Sequence, residues 1–134
     1  MSEFPIIATL VSTFLAGGLG ALWYGPLCGN AWLAAGGKTK EEIDDGAKPI
    51  MIAMLTWLVS AIVFSLLTSS YGVSGFGSLI RFAVLAWLGF GLVPTVLSVV
   101  FQEKSRAFLW IDGGYHLCGW LLMAVAHSVL QQVL

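Results

Sequence analysis

Charge is spread so unevenly along this chain that four stretches carry none at all: 4–37, 49–80, 82–102 and 113–134. About 20 apolar residues rising roughly 1.5 Å each cross a hydrocarbon core of about 30 Å, and each stretch is at least that long. Of the 134 residues, 58% are hydrophobic and 10% charged, where a soluble domain carries about 25% charged residues. Such a chain cannot cover a water-soluble globule. The pattern predicts an all-α, four-transmembrane-helix bundle forming one integral membrane domain over residues 1–134, with the lipid bilayer as its solvent.

The same composition excludes several classes. Six basic residues and a formal net charge of −1, with no basic run or stripe, leave no electrostatic footprint for nucleic acid. The start, Met-Ser-Glu-Phe-Pro, lacks the basic n-region of a signal peptide, and the apolar run after it is too long for an h-region, so the first span is expected to be retained. Cys28 and Cys118 are far apart, with no Cys-x-x-Cys and no histidine at metal spacing, and read as free thiols with no metal site.

The spans are expected at about 5–23, 49–68, 79–100 and 107–133. Pro5 and Pro49 suit first helical turns, and Tyr24-Gly25-Pro26 closes span one because proline disfavours helix in the residue before it. Trp23 and Tyr24 then lie at a membrane interface. In the connector over 24–48, Thr39-Lys40-Glu41-Glu42 has the form of a capping box and predicts a short surface helix through Asp44. Pro94 lies inside span three and predicts a kink that frees the Phe90 carbonyl for Thr95, Ser98 or another helix. Gly113-Gly114 raises the alternative that span four is broken, with a crossing that begins only at Tyr115.

Lys38, Lys40, Lys48, Lys104 and Arg106 lie in the loops that join spans one to two and three to four, against Arg81 alone on the other side. The positive-inside rule makes loops 24–48 and 101–106 cytoplasmic and both termini external. Spans one and three each carry a glycine cluster followed by a proline, Gly17-Gly18-Leu19-Gly20 with Pro26 and Gly89-Phe90-Gly91 with Pro94. That is the mark of a parallel two-hairpin repeat, or simply of glycine and proline being common in membrane helices.

Lipid offers no hydrophobic drive between helices, so small residues must let them approach closely. Thr9, Ser12, Thr13, Ala16, Gly17, Gly20 and Ala21 recur at three- and four-residue spacing, which puts them on one face of span one. That face predicts a tight crossing, within the fold or between protomers.

On span four, Asp112, His116, Gly119, Met123 and His127 fall within roughly 80° of one another and form one stripe. Ionisable residues inside a span are costly and point into a bundle or a wet cavity. Asp112 and His116, at i and i+4, are placed to hydrogen-bond, as a proton relay or solute contact, or as a structural cap. His127 is about 16 Å along the helix from His116, too far for one metal ion. A single histidine facing a roomy apolar slot is enough to ligate haem or chlorophyll, so a pigment- or haem-associated role stays open. No nucleophile elbow, metalloprotease helix, phosphate loop or paired intramembrane carboxylate occurs, which argues against an enzyme.

Two stretches are similar to a known family. Gly20-Ala21-Leu22-Trp23-Tyr24-Gly25-Pro26-Leu27, then Gly29, Trp32 and Gly37-Lys38-Thr39 leading into Glu41-Glu42, resembles the opening of the small bacterial membrane proteins grouped as domain of unknown function 1761. The segment from Phe101 through Ile111-Asp112-Gly113-Gly114-Tyr115-His116 resembles a later part of the same family. Members often have Phe and Lys where this chain has Cys28 and Asn30. The resemblance implies a compact multi-span fold and gives weight to Trp23, Tyr24, Pro26, Trp32, Asp112, Tyr115 and His116 as one cluster. If the Trp-Tyr-x-Pro turn folds back onto span four, it sets aromatic walls beside Asp112 and His116, suited to a binding site or gate, or to a rigid corner.

Two functions fit these readings. One is a homo-oligomeric inner-membrane protein that moves or binds a small solute or ion, with Asp112, Tyr115, His116 and His127 as contacts. The other is an accessory subunit of a larger membrane complex, docked through the Ser12, Ala16, Gly17 and Gly20 face.

Overall fold

A computed structural model describes residues 3–43 and 46–134 and contains four helices long and apolar enough to cross a membrane. Span one is Ile6–Leu27, span two Ala47–Ser70, span three Phe76–Phe101 and span four Arg106–Val133. The protein is therefore an all-α integral membrane bundle. An even number of crossings puts both termini at one end and the loops between spans one and two and between three and four at the other.

Span four is the axis of the bundle. From 111 to 128 only Val125 is exposed, because span one packs on one flank and span three on the other. Span two lies against span one and reaches span four through side chains, Trp57 onto Tyr115 and Phe64 onto Trp120. The small-residue face of span one is what permits this: Ala8, Thr9, Ser12, Thr13 and Ala16 are all buried within the fold. A Cβ on Gly17 would run into the Met54 sulfur of span two, and one on Gly20 would come within 2.7 Å of the Tyr115 hydroxyl of span four. Ala21, at the end of the predicted stripe, is exposed. The face makes the intramolecular crossing.

Several local expectations change. The α-helix of span one ends at Leu22, as Tyr24-Gly25-Pro26 predicts, but the chain goes on through a kinked wide turn, Trp23–Leu27, in which Gly25, the residue before Pro26, leaves helical geometry (φ −104°, ψ −106°). The stretch 24–48 is accordingly more than a connector, since a second short helix, Gly29–Gly36, follows at once and ends at Gly37 with a left-handed φ of 68°. A capping-box helix does not form after it: Lys40–Glu42 is a single 3₁₀ turn, and the Thr39 hydroxyl reaches the Glu42 carboxylate, 3.1 Å, instead of a backbone N–H. Asp44 lies outside the described residues.

Span three also contains a π-helical turn, Trp87–Leu92, with Pro94 in the first turn of the segment after it. The Thr95 hydroxyl bonds the Gly91 carbonyl at 2.8 Å, one residue along from the predicted Phe90. Span four runs unbroken through Gly113-Gly114. Breaking it there would leave backbone groups unpaired inside the membrane, a cost of several kcal/mol per group, which outweighs the roughly 1 kcal/mol per glycine of lost helix propensity. The likeness between spans one and three is local: each has a glycine-containing π turn that begins with tryptophan. The close backbone packing of span one on span four has no equal between spans two and three.

Candidate functional site

The π turn of span one aims its side chains back at the start of span four. The Trp23 indole N–H donates to the Ile111 carbonyl at 2.9 Å, and the Tyr24 hydroxyl donates to Asp112 Oδ1 at 2.6 Å. From the other flank the Trp87 indole N–H donates to the Gly113 carbonyl at 2.9 Å. Three consecutive residues of span four are thus held from two sides. Helix carbonyls can accept these second bonds because each oxygen has two lone pairs.

Behind this clamp stands an aromatic stack. Trp32 meets the Tyr24 ring edge-on at 5.2 Å, Tyr24 meets Tyr115 at 5.0 Å, and Tyr115 meets Trp57 at 5.5 Å. The Tyr115 hydroxyl accepts from the Trp57 indole at 2.7 Å and donates to the Ala16 carbonyl at 2.9 Å, so one oxygen joins spans one, two and four. A buried hydroxyl with both partners present is a strong positioning device where no water competes. Trp23, Tyr24, Trp32, Asp112, Tyr115 and His116 come together as one cluster; Pro26 stays exposed on the turn itself.

Asp112 and His116 do not bond each other. The carboxylate is taken by Tyr24, 88 positions away in sequence. His116 lies between the Trp57 ring at 5.8 Å and the Tyr115 ring at 5.5 Å, and among the described residues its ring nitrogens make no hydrogen bond. Its direction follows from its neighbours. A Cβ on Gly119 would strike Trp57 of span two, and one on Gly113 would touch Leu92 of span three. At 100° per residue His116 lies about 60° from each, facing the seam between spans two and three.

The far end of the stripe differs. His127 is fully buried. Its Nδ1 lies 2.8 Å from the Met123 carbonyl, which can only accept, so Nδ1 carries the proton. Nε2 lies 2.8 Å from Ser65 Oγ, which is 2.6 Å from Thr9 Oγ1, and Thr9 in turn bonds the Pro5 carbonyl at 2.8 Å. Ser12 Oγ stands at a long 3.4 Å from Nδ1. Phe64 closes the ring's remaining side at 5.0 Å. Among the described residues, serine, threonine and phenylalanine fill the surroundings of His127 and leave no slot for a haem or chlorophyll. Pro94 lies away from both halves of the stripe, in span three.

Sequence reasoning did not find Trp57, Trp87 and Ser65. The signal for the two tryptophans was their place inside spans, away from the interfacial belt where tryptophan collects. No group of three or more histidine, cysteine or acidic side chains lies together among the described residues, and both cysteines are free thiols.

A four-span bundle clamped about its last helix, with an aromatic corner at one end and a saturated histidine at the other, defines a small helical membrane protein. The particular family is that described as protein of unknown function (DUF1761), whose model matches residues 7–128; the chain belongs to it. Neither a curated protein nor a solved structure matches the chain.

Proposed function

We propose that the protein moves or binds a small solute or ion as a homo-oligomer, with His116 as the contacting side chain and Asp112 as the carboxyl group one turn before it. The observation that carries this reading is His116 itself. An ionisable ring well inside a membrane span, without a hydrogen-bond partner and turned to a seam between helices, is unfavourable unless water, a solute or a second copy completes it. The other polar side chains near it have partners within the fold, and His127 is held by Ser65 and the Met123 carbonyl. Tyr24 holds Asp112, and Tyr115 is committed to Trp57 and Ala16. No catalytic pair is formed by these groups, so binding or passage fits them better than bond-making chemistry.

Orientation follows from the basic residues, with loops 24–48 and 101–106 on the cytoplasmic side of a bacterial inner membrane. The accessory-subunit reading loses its main docking surface, because the Ser12, Ala16, Gly17 and Gly20 face is covered by spans two and four. The test is ion and proton flux into dye-loaded vesicles that hold the purified protein, with native mass spectrometry of the same preparation. Flux by a homo-oligomer that His116→Ala abolishes is the expected result. Equal flux from His116→Ala, or a single copy bound to other subunits, would reject the proposal.

A further inference from the structure

A second polar locus lies outside the stripe. At the loop-bearing end of spans one and four, a recess of about 70 Å³ is lined by Trp32, Leu33, Lys38, Ile43, Lys104 and Phe108. Trp32 belongs to the short helix Gly29–Gly36, and Lys38 follows its glycine end. Lys104 precedes span four, and the Ser105 N–H donates to the Ala35 carbonyl at 3.3 Å, which ties the two loops together.

Three observations converge on this recess. Two lysines line it and, among the described residues, no carboxylate does. The Lys104 ammonium is held 3.9 Å from the centre of the Phe108 ring, and that ring stacks on Trp32 at 6.5 Å, so one cation is fixed over the wall and not left to wander in solvent. The Trp32 indole N–H is buried with no acceptor, alone in this among the side-chain polar atoms of the described residues. A buried donor without a partner signals a missing acceptor, since nearly all such groups in folded proteins are bonded.

We propose that this recess binds a phosphate-bearing anion, with Lys38 and Lys104 as its counter-charges and the Trp32 indole N–H as a neutral donor. Lysine acts on phosphate as a point charge, and Leu33, Ile43 and Phe108 give the site an apolar wall. At the depth of the loops this chemistry is met by the headgroup of an anionic phospholipid or by a free phosphate from the aqueous side.

The test is native mass spectrometry of the full chain in detergent, with phosphatidylglycerol or phosphatidylcholine added in turn. Wild type is expected to retain phosphatidylglycerol in preference. Each of Lys38→Gln and Lys104→Gln should weaken retention about fivefold, and the pair about thirtyfold. Trp32→Phe removes the N–H and keeps the apolar ring; because that N–H bonds nothing in the protein, the fold should hold while retention falls about tenfold. Equal retention of the two lipids, or retention unchanged in the double lysine variant or in Trp32→Phe, overturns the proposal. Displacement of bound lipid by inorganic phosphate assigns the site to a free anion, and persistence of the lipid assigns it to a headgroup.

Discussion

The two histidines of span four sit eleven residues apart on one stripe and meet opposite surroundings. His127 is enclosed: a backbone carbonyl holds one ring nitrogen, Ser65 holds the other, and Thr9 and Phe64 complete the shell. His116 touches two aromatic rings and, among the described residues, bonds nothing. The difference teaches that an ionisable residue in a membrane helix is not a functional signal by itself. Full burial with every polar atom paired makes a histidine a helix-joining group, whereas a partly buried ring without partners within the fold is left for something outside the fold to meet.

The largest effect that would break this contrast is at His127. Replacing it with alanine empties a fully packed position and leaves Ser65 and the Met123 carbonyl without their partner. A loss of about 2–4 kcal/mol is expected in reversible unfolding from mixed micelles. A variant as stable as wild type would remove the structural role assigned to the half that holds His127. Next is Gly119→Val, which forces a side chain into the Trp57 ring and should cost about 1–3 kcal/mol by the same measurement. An unshifted transition would mean that span two does not approach span four this closely.

At the loop-bearing half, Tyr24→Phe leaves Asp112 without its donor, and the cost should be about 1–2 kcal/mol. A double-mutant cycle with Asp112→Asn checks it; the two single losses should fail to add, because both remove one bond. Additive losses would show that the pair is not coupled. The smallest stability effect belongs to His116→Ala, about 1 kcal/mol or less from lost ring contacts, since no hydrogen bond is broken. That variant sharpens the contrast: it should leave folding nearly intact and remove flux, where His127→Ala acts through folding.

Sequence periodicity carries the architecture well because the bilayer enforces it. Charge-free runs and a helical repeat are enough to number the crossings and to place Ser12, Ala16 and Gly20 on the packing face of span one. What pairs across the bundle is not legible in the same way. Spacing along the helix pairs Asp112 with His116, yet the partner is Tyr24, because the turn at Trp23–Leu27 swings that hydroxyl onto span four. The turn itself is half legible: Tyr-Gly-Pro reads as a helix stop and Gly25 does leave helical geometry, but the direction of the kink is not written in the motif, and Gly-Gly reads as a break that does not occur. In lipid the cost of unpaired backbone overrides the tendency of Gly-Gly to break span four. The helix Gly29–Gly36 escapes notice because eight residues rich in alanine and glycine have no clear apolar face.

The most direct test of the contrast between the two histidines is nitrogen NMR of the ¹⁵N-imidazole-labelled protein in lipid nanodiscs, with each ring assigned by substitution. His127 should appear as one fixed tautomer protonated at Nδ1, with a slowly exchanging N–H, while His116 exchanges its ring proton with water and responds to pH or added ions. A His116 resonance as protected and unresponsive as that of His127 would contradict the assignment of His116 as the open contact site.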